Sequence, residues 1–244
     1  MTIDSAAAHT PASADDQFLP GPVLLLGAPG VGKGTQAQLL MAKFGIPQIS
    51  TGDILRANIA NGTELGNQAK DIISRGQLVS DPIVNQMVWH RLFDEDTYRG
   101  YILDGYPRTL DQADFLDKAL ADANFPSKLP VVAISIQASY TELQHRITGR
   151  RTCPVCKSIY NIFSNPPKES DCCDLEGARL EQRTDDTEAV FVERMKTFNA
   201  QTAPVIQHYS GRGRFEEVNG EQSVAKVTAE IIDALTRLRL KDRI

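Results

Sequence analysis

The chain has 244 residues, 41% of them hydrophobic and 23% charged, which excludes a mini-protein and argues against a fibrous, collagen-like or mainly disordered chain. A formal net charge of -5 lacks the basic surplus of a duplex-coating protein, so nucleic acid is not expected as a partner. No apolar run approaches the ~20 residues that span a bilayer, and no basic N-terminal region leads into a hydrophobic stretch; a cytoplasmic protein with no membrane partner is expected.

In chain order, residues 1 to 20 mix Ala, Ser, Thr, Asp and Pro without apolar periodicity and read as a flexible lead-in. Short apolar runs then mark strands at Val23 to Leu26, Ile46 to Ile49, Tyr101 to Leu103, Val131 to Ile136 and, more weakly, Phe215 to Val218. Helical patterns fall at about 33 to 44, 81 to 95, 109 to 122, 139 to 150, 185 to 209 and 222 to 240. This alternation predicts an α/β fold, a five-stranded parallel sheet with helices on both faces. Residues 50 to 79, which read as short helices, and 149 to 186, which hold every cysteine with Pro166 and Pro167, interrupt the alternation. Loops of that length need structure of their own, so both are expected to form small insertions in a core of 21 to 49, 80 to 148 and 187 to 244.

The sequence G-A-P-G-V-G-K-G-T, from Gly27 to Thr35, follows the first strand and opens a helix, the setting a phosphate-binding loop requires. Its glycines let the backbone approach phosphates, the helix N-terminus adds positive potential, and Lys33 can reach the terminal phosphates of a nucleoside triphosphate. Gly34 stands between Lys33 and Thr35, where the strict pattern has Ser or Thr directly after Lys, so the pattern by itself does not imply the usual magnesium ligation. Asp104, at the end of Y-I-L, could hold magnesium directly or through water.

With S-T-G-D-I-L-R at 50 to 56, D-G-Y-P-R-T at 104 to 109, R-I-T-G-R-R at 146 to 151, R-T-D-D at 183 to 186 and Q-T-A-P at 201 to 204, the loop resembles the nucleoside monophosphate kinases and, more narrowly, the adenylate kinase family. The resemblance spans about 23 to 240 and implies a phosphate-loop core with one insertion over a monophosphate and a lid over a triphosphate. It implies the reaction MgATP + AMP ⇌ 2 ADP by a monomer, with a kinase for another monophosphate acceptor or triphosphate donor as the alternative. For ATP it points to Gly30, Val31, Gly32, Lys33, Gly34 and Thr35 around the phosphates, with Arg146, Arg150, Ile159, Tyr160 and Gln222 nearby. For AMP it points to Thr51, Arg56, Gln77, Leu78, Val79, Gly105, Tyr106, Pro107, Arg108 and Gln112, joined by Arg183 and Arg194. The catalytic charges would be Lys33, Arg108, Arg150, Arg183 and Arg194. Thr51 and Gln112 match the AMP-selective form of the family, whereas Pro82 departs from an often acidic position but suits the first turn of a helix.

Such chemistry suits these residues, because phosphoryl transfer asks mainly for alignment and charge stabilisation. AMP offers an ionised oxygen as nucleophile, so no general base is needed and none is evident. The planar fork of Arg can hold phosphate through two bonds.

Cys153-Pro-Val-Cys156 is half of a zinc site, and Cys173 follows after sixteen intervening residues. A regular second knuckle reaches Glu176 as fourth ligand, with Cys172, Asp171 and Asp174 close by. Relatives with metal-binding lids carry Cys or Asp at the position of Glu176, so Glu departs from their pattern. Zinc here would be structural, holding a lid with little core of its own. The dispersed His9, His90, His145 and His208 are assigned surface or packing roles. Trp89, with Val84, Val88 and Leu92, is assigned to a core helix face, and the run R-L-R-L-K-D-R from Arg237 to a solvated helix end.

Overall fold

The computed structural model describes residues 20–122, 125 and 129–240. Five parallel strands, β1 (Gly21–Leu26), β2 (Gln48–Ser50), β3 (Gly100–Asp104), β4 (Val132–Gln137) and, after the lid, β7 (Phe215–Asn219), form one sheet in the order β2-β3-β1-β4-β7. Side chains alternate across it. Val23 and Leu25 of β1, Ile102 of β3 and Ile134 of β4 enter one core, while Leu24 and Leu26 of β1 and Leu103 of β3 enter the other. Burial on both faces is why these strands read as continuous apolar runs instead of alternating ones.

One core is covered by α1 (Lys33–Phe44), α6 (Tyr140–Thr148), α7 (Glu188–Thr197) and α9 (Val224–Leu240), which contribute Leu40, Ile147, Phe191 and Ile231. The other is covered by α4 (Asp81–Leu92), α5 (Leu110–Ala121) and α8 (Ala203–Ser210), which contribute Val88, Leu116 and Val205. Residues 50–79 carry α2 (Thr51–Ala60) and α3 (Glu64–Ser74). Residues 149–186 carry an antiparallel pair, β5 (Arg150–Thr152) and β6 (Ile159–Asn161), around a small cluster of Cys153, Tyr160, Cys173 and Leu180.

Three local expectations change, and the placing of Trp89 against the core is refined. The second strand begins at Gln48 and not at Ile46, because Pro47 has no N–H for the ladder; its carbonyl instead accepts from the Ile102 N–H at 2.9 Å. The helix expected over 185–209 is divided: a π stretch, Phe198–Thr202, separates α7 from α8, and Pro204 stands in the first turn of α8. Trp89 is half-buried, packed edge-on to Phe93 and Phe115, while Val84, Val88 and Leu92 are fully in the core. Arg239 is not solvated. It is 5% exposed, and its guanidinium donates to the carbonyls of Pro20 and Pro22 at 2.7 and 2.8 Å and to that of Pro130, so the end of α9 ties down the start of β1.

His145 stacks on Phe163, with ring centroids 4.1 Å apart, and the His208 ring lies 2.8 Å from an Asp117 carboxylate oxygen. His9, residues 1–19 of the lead-in, and Lys241 to Arg243 of the C-terminal run lie outside the described residues.

Candidate functional site

The site lies where a parallel sheet of this order opens a crevice, at the C-terminal ends of β1 and β3. The loop after β1 turns into α1 through Gly32, whose φ of 107° is a left-handed backbone that favours glycine. Lys33 then begins α1, with Gly34 and Thr35 in its first turn. The Lys33 ammonium folds back and donates to the carbonyls of Gly27 and Ala28 at 2.8 and 2.9 Å.

At the end of β3, Asp104 faces this loop and accepts from Gln48 Nε2 at 2.9 Å. Gly105, at φ 75°, leaves room for Arg108, whose Nε donates to the Gly105 carbonyl at 2.8 Å; a Cβ on Gly105 would stand 2.6 Å from that guanidinium. The Thr51 hydroxyl donates to the same carbonyl at 2.9 Å, which joins the start of α2 to the D-G-Y-P-R turn. Thr202, on the π stretch, donates to the Arg108 carbonyl at 2.9 Å, so the irregular helix braces the same arginine.

One cavity is lined by Lys33, Thr51, Arg56, Gln77 to Val79, Gly105 to Arg108, Gln112, Asp185 and Arg194. It gathers every residue that the sequence assigns to AMP except Arg183, which stands 3.8 Å from Asp53 beside it. Asp53 also pairs with Arg56 at 2.5 Å, Asp185 pairs with Arg194 at 2.9 Å, and buried Asp186 holds Arg150 through two bonds. These three carboxylates, Gln48 and Thr202 were missed in the sequence reading. Asp53, Asp185, Asp186 and Thr202 stand inside the quoted motifs T-G-D, R-T-D-D and Q-T-A-P, so a signal for them was present.

The six cations Lys33, Arg56, Arg108, Arg150, Arg183 and Arg194 thus face only four carboxylates, Asp53, Asp104, Asp185 and Asp186. For Lys33, Arg183 and Arg194, protonation reflects the imbalance. Burial, followed by repulsion from Arg108, Arg194 and Arg150, pulls Lys33 down to about 8, although Asp104 opposes the change. Burial and neighbouring arginines bring Arg183 and Arg194 down to about 10. Arg150 moves the other way: burial would lower it, but its paired bonds to Asp186 raise it. A cluster of half-buried cations, with Lys33, Arg183 and Arg194 depressed by desolvation and by their neighbours, suits a polyanion.

Among the residues that the resemblance assigns to ATP, Val31 and Gly30 lie in the loop, and Arg146 donates to the carbonyls of Val31 at 3.3 Å and Gly220 at 2.8 Å. Ile159 of β6 reaches over the loop, its Cδ1 3.5 Å from where a Cβ on Gly34 would lie. Tyr160, next along the strand, points the opposite way into the lid. Its hydroxyl lies 3.5 Å from Cys173 Sγ and accepts from the Asp174 N–H at 2.9 Å, so only its backbone is available to the triphosphate side. The Gln222 side chain bonds Asn219 and Glu230, at 3.1 and 2.9 Å.

In the lid, Cys153, Cys156 and Cys173 have their sulfurs within 4.8 Å of one another and carry free thiols. The two turns that present them are equivalent. The Lys157 N–H bonds the Cys153 carbonyl at 3.1 Å and the Gly177 N–H bonds the Cys173 carbonyl at 2.9 Å, with φ of 62° at Lys157 and 63° at Gly177. The Cys173 thiol, pulled down to about 6 by the Tyr160 hydroxyl and by the N–H groups of Glu176 and Leu175, is predisposed to the thiolate a metal requires. Glu176 occupies in its turn the place of Cys156 in the other; its carboxylate is exposed and does not join the thiol trio, nor do Cys172, Asp171 or Asp174.

A family profile described as adenylate kinase matches residues 25–214. An adenylate kinase of Thermodesulfovibrio yellowstonii is 45% identical over 215 residues, covering 88% of this chain and 99% of that protein. An adenylate kinase of Nitrosococcus oceani is 44% identical over 88% of this chain and 99% of its own length, and one of Petrotoga mobilis 46% identical over 87% and 96%. A parallel sheet closed by a phosphate loop, an under-compensated cationic cleft and relatives matched along nearly their whole length agree, and the chain belongs to the adenylate kinase family.

Proposed function

We propose that the cleft holds two adenine nucleotides end to end and transfers the terminal phosphate of ATP to AMP, giving two ADP. The observation that carries this reading is the surplus of half-buried cations between the phosphate loop and the D-G-Y-P-R turn, with Lys33 on one side and Arg56 and Arg108 on the other, all lining one cavity. Two polyanions repel each other, and fixed cations in a water-poor cleft offset that repulsion without reorganising during the reaction. Lys33 would leave the Gly27 and Ala28 carbonyls to meet the transferred phosphate. Arg56 and Arg108 would grip the AMP phosphate, while Arg150, Arg183 and Arg194 stabilise charge on the equatorial oxygens. The AMP oxygen attacks already ionised, so the protein contributes alignment and not proton transfer.

Magnesium, bound with ATP, neutralises charge on the phosphate oxygens. Asp104, oriented by Gln48, is the carboxylate suited to it, with or without an intervening water. The thiol trio and the matched turns fit a structural zinc held by Cys153, Cys156 and Cys173, with Glu176 as fourth ligand after its side chain turns inward. Residues 50–79 and 149–186 act as covers over AMP and ATP, closing to keep water from becoming the acceptor. Because the four cysteines gather in one lid instead of being spread as disulfide staples, and because the resemblance implies a single-chain kinase, we assign it as a cytoplasmic monomer.

The test is a coupled assay of nucleoside diphosphate formation with ATP, magnesium and AMP, CMP, UMP or GMP as acceptor. AMP should be preferred by about two orders of magnitude or more, as befits a site that hydrogen-bonds its base. Equal turnover of a pyrimidine monophosphate contradicts the assignment of Thr51 and Gln112.

A further inference from the structure

We propose that Asp81 is a specificity-determining positioning residue, which fixes the direction of the Gln112 carboxamide and thereby makes it a reader of adenine. The inference rests on the AMP site proposed above.

Gln112 is 2% exposed and lines the cavity. Its Oε1 accepts from the Arg108 backbone N–H at 2.7 Å, and its Nε2 donates to Asp81 Oδ1 at 2.7 Å. Asp81 is itself held. The Thr109 hydroxyl caps α5 by accepting from the Gln112 backbone N–H at 3.1 Å, which leaves its proton for Asp81 Oδ2 at 2.7 Å. Both oxygens of Asp81 are therefore acceptors.

A backbone N–H can only donate, and a carboxylate used in this way only accepts. Turning the Gln112 amide over would set donor against donor at Arg108 and acceptor against acceptor at Asp81. The direction is thus imposed at both ends, and each end keeps one unused position, an N–H and an oxygen lone pair. Adenine presents an amino donor beside a ring-nitrogen acceptor, which complements that pair, as in the bidentate contact of Gln with adenine. On its N1 edge a 6-oxopurine presents the reverse, a carbonyl acceptor beside a ring N–H, and needs the inverted amide; on its N7 edge it presents two acceptors, one of which must face the amide oxygen. Asp81 does not line the cavity, so it acts on the base only through Gln112.

The experiment compares kcat/KM for AMP and for IMP, with ATP as donor, in the wild type and in Asp81→Ala, each checked for cooperative thermal unfolding. The AMP-to-IMP preference should fall by about tenfold or more, the scale of one bidentate base contact. A merely structural role would slow both acceptors by the same factor; an unchanged preference in folded Asp81→Ala overturns the proposal while leaving the AMP site standing. Should Asp81→Ala not fold, hydrogen exchange of the Gln112 side-chain amide in the wild type decides: slowed exchange supports the proposal, and exchange at the rate of a free amide overturns it. Wild type that forms no ADP from ATP and AMP overturns the underlying site and this inference together.

Discussion

The floor of the cleft and the lid above it present positive charge by opposite means. On the floor, Lys33, Asp104 and Arg108 project from the ends of buried strands or the turns just beyond them, braced by Thr51, Gln48 and Thr202. The lid's own hydrophobic cluster has four buried side chains around two turns, and two of the four are the thiols of Cys153 and Cys173. Packing alone can preorganise the floor, whereas the lid has a small core and three converging thiols, and on the proposed reading it depends on a metal they bind. The arginines follow the same division: Arg108 is anchored to the floor, and Arg150 begins at the lid's edge and is held by Asp186.

Removing a floor cation should therefore abolish chemistry without unfolding the protein. Arg108→Ala is expected to lower kcat/KM by about three orders of magnitude, the loss typical of a charge that holds the acceptor phosphate in line for transfer, with the thermal unfolding midpoint within a few degrees of wild type. Steady-state assay beside a thermal scan measures both; a loss below tenfold would place the essential charge elsewhere.

Removing a lid thiol should do the reverse. Cys153→Ser is expected to leave less than about a tenth of an equivalent of zinc and to lower the lid's resistance to proteolysis, with kcat/KM reduced about tenfold. Elemental analysis of protein purified without chelator supplies the reference. Wild type lacking zinc, with an equally resistant lid, would show that the thiols pack without metal.

The smallest effect is a pH dependence. Burial holds Lys33 near 8, so the free enzyme carries the charge below that pH and loses it above. With kcat/KM reporting the free enzyme, the profile should be level below about pH 8 and fall up to tenfold per unit beyond it. In kcat the inflection should move upward, since bound phosphates favour the ammonium. Lys33→Arg, less active but permanently charged, should lose the inflection.

Legibility in the sequence follows the same floor-and-lid division. β1, β3, β4 and α1 were readable because strands buried on both faces are continuous apolar runs and because the phosphate loop fixes where α1 begins. Several cavity-lining residues, Thr51, Arg56 and Gly105 to Arg108, were readable because they stand in motifs with a backbone requirement, such as the turn at Gly105. The carboxylates were harder: Asp185 and Asp186 stand in R-T-D-D, but only the fold reveals that they hold Arg194 and Arg150. The π stretch was hidden because a helix with one extra residue keeps the same apolar character. Arg239 was misread because a charge at a helix end is solvated by default, and only the fold brings the carbonyls of Pro20 and Pro22 within its reach.

The central claim is that the cationic cleft delivers phosphate to a second nucleotide and withholds it from water. Product balance tests it most directly: purified protein with magnesium, ATP and AMP should form two ADP for each ATP consumed and release no inorganic phosphate. Phosphate release that matches ATP consumption, with AMP unchanged, would contradict it.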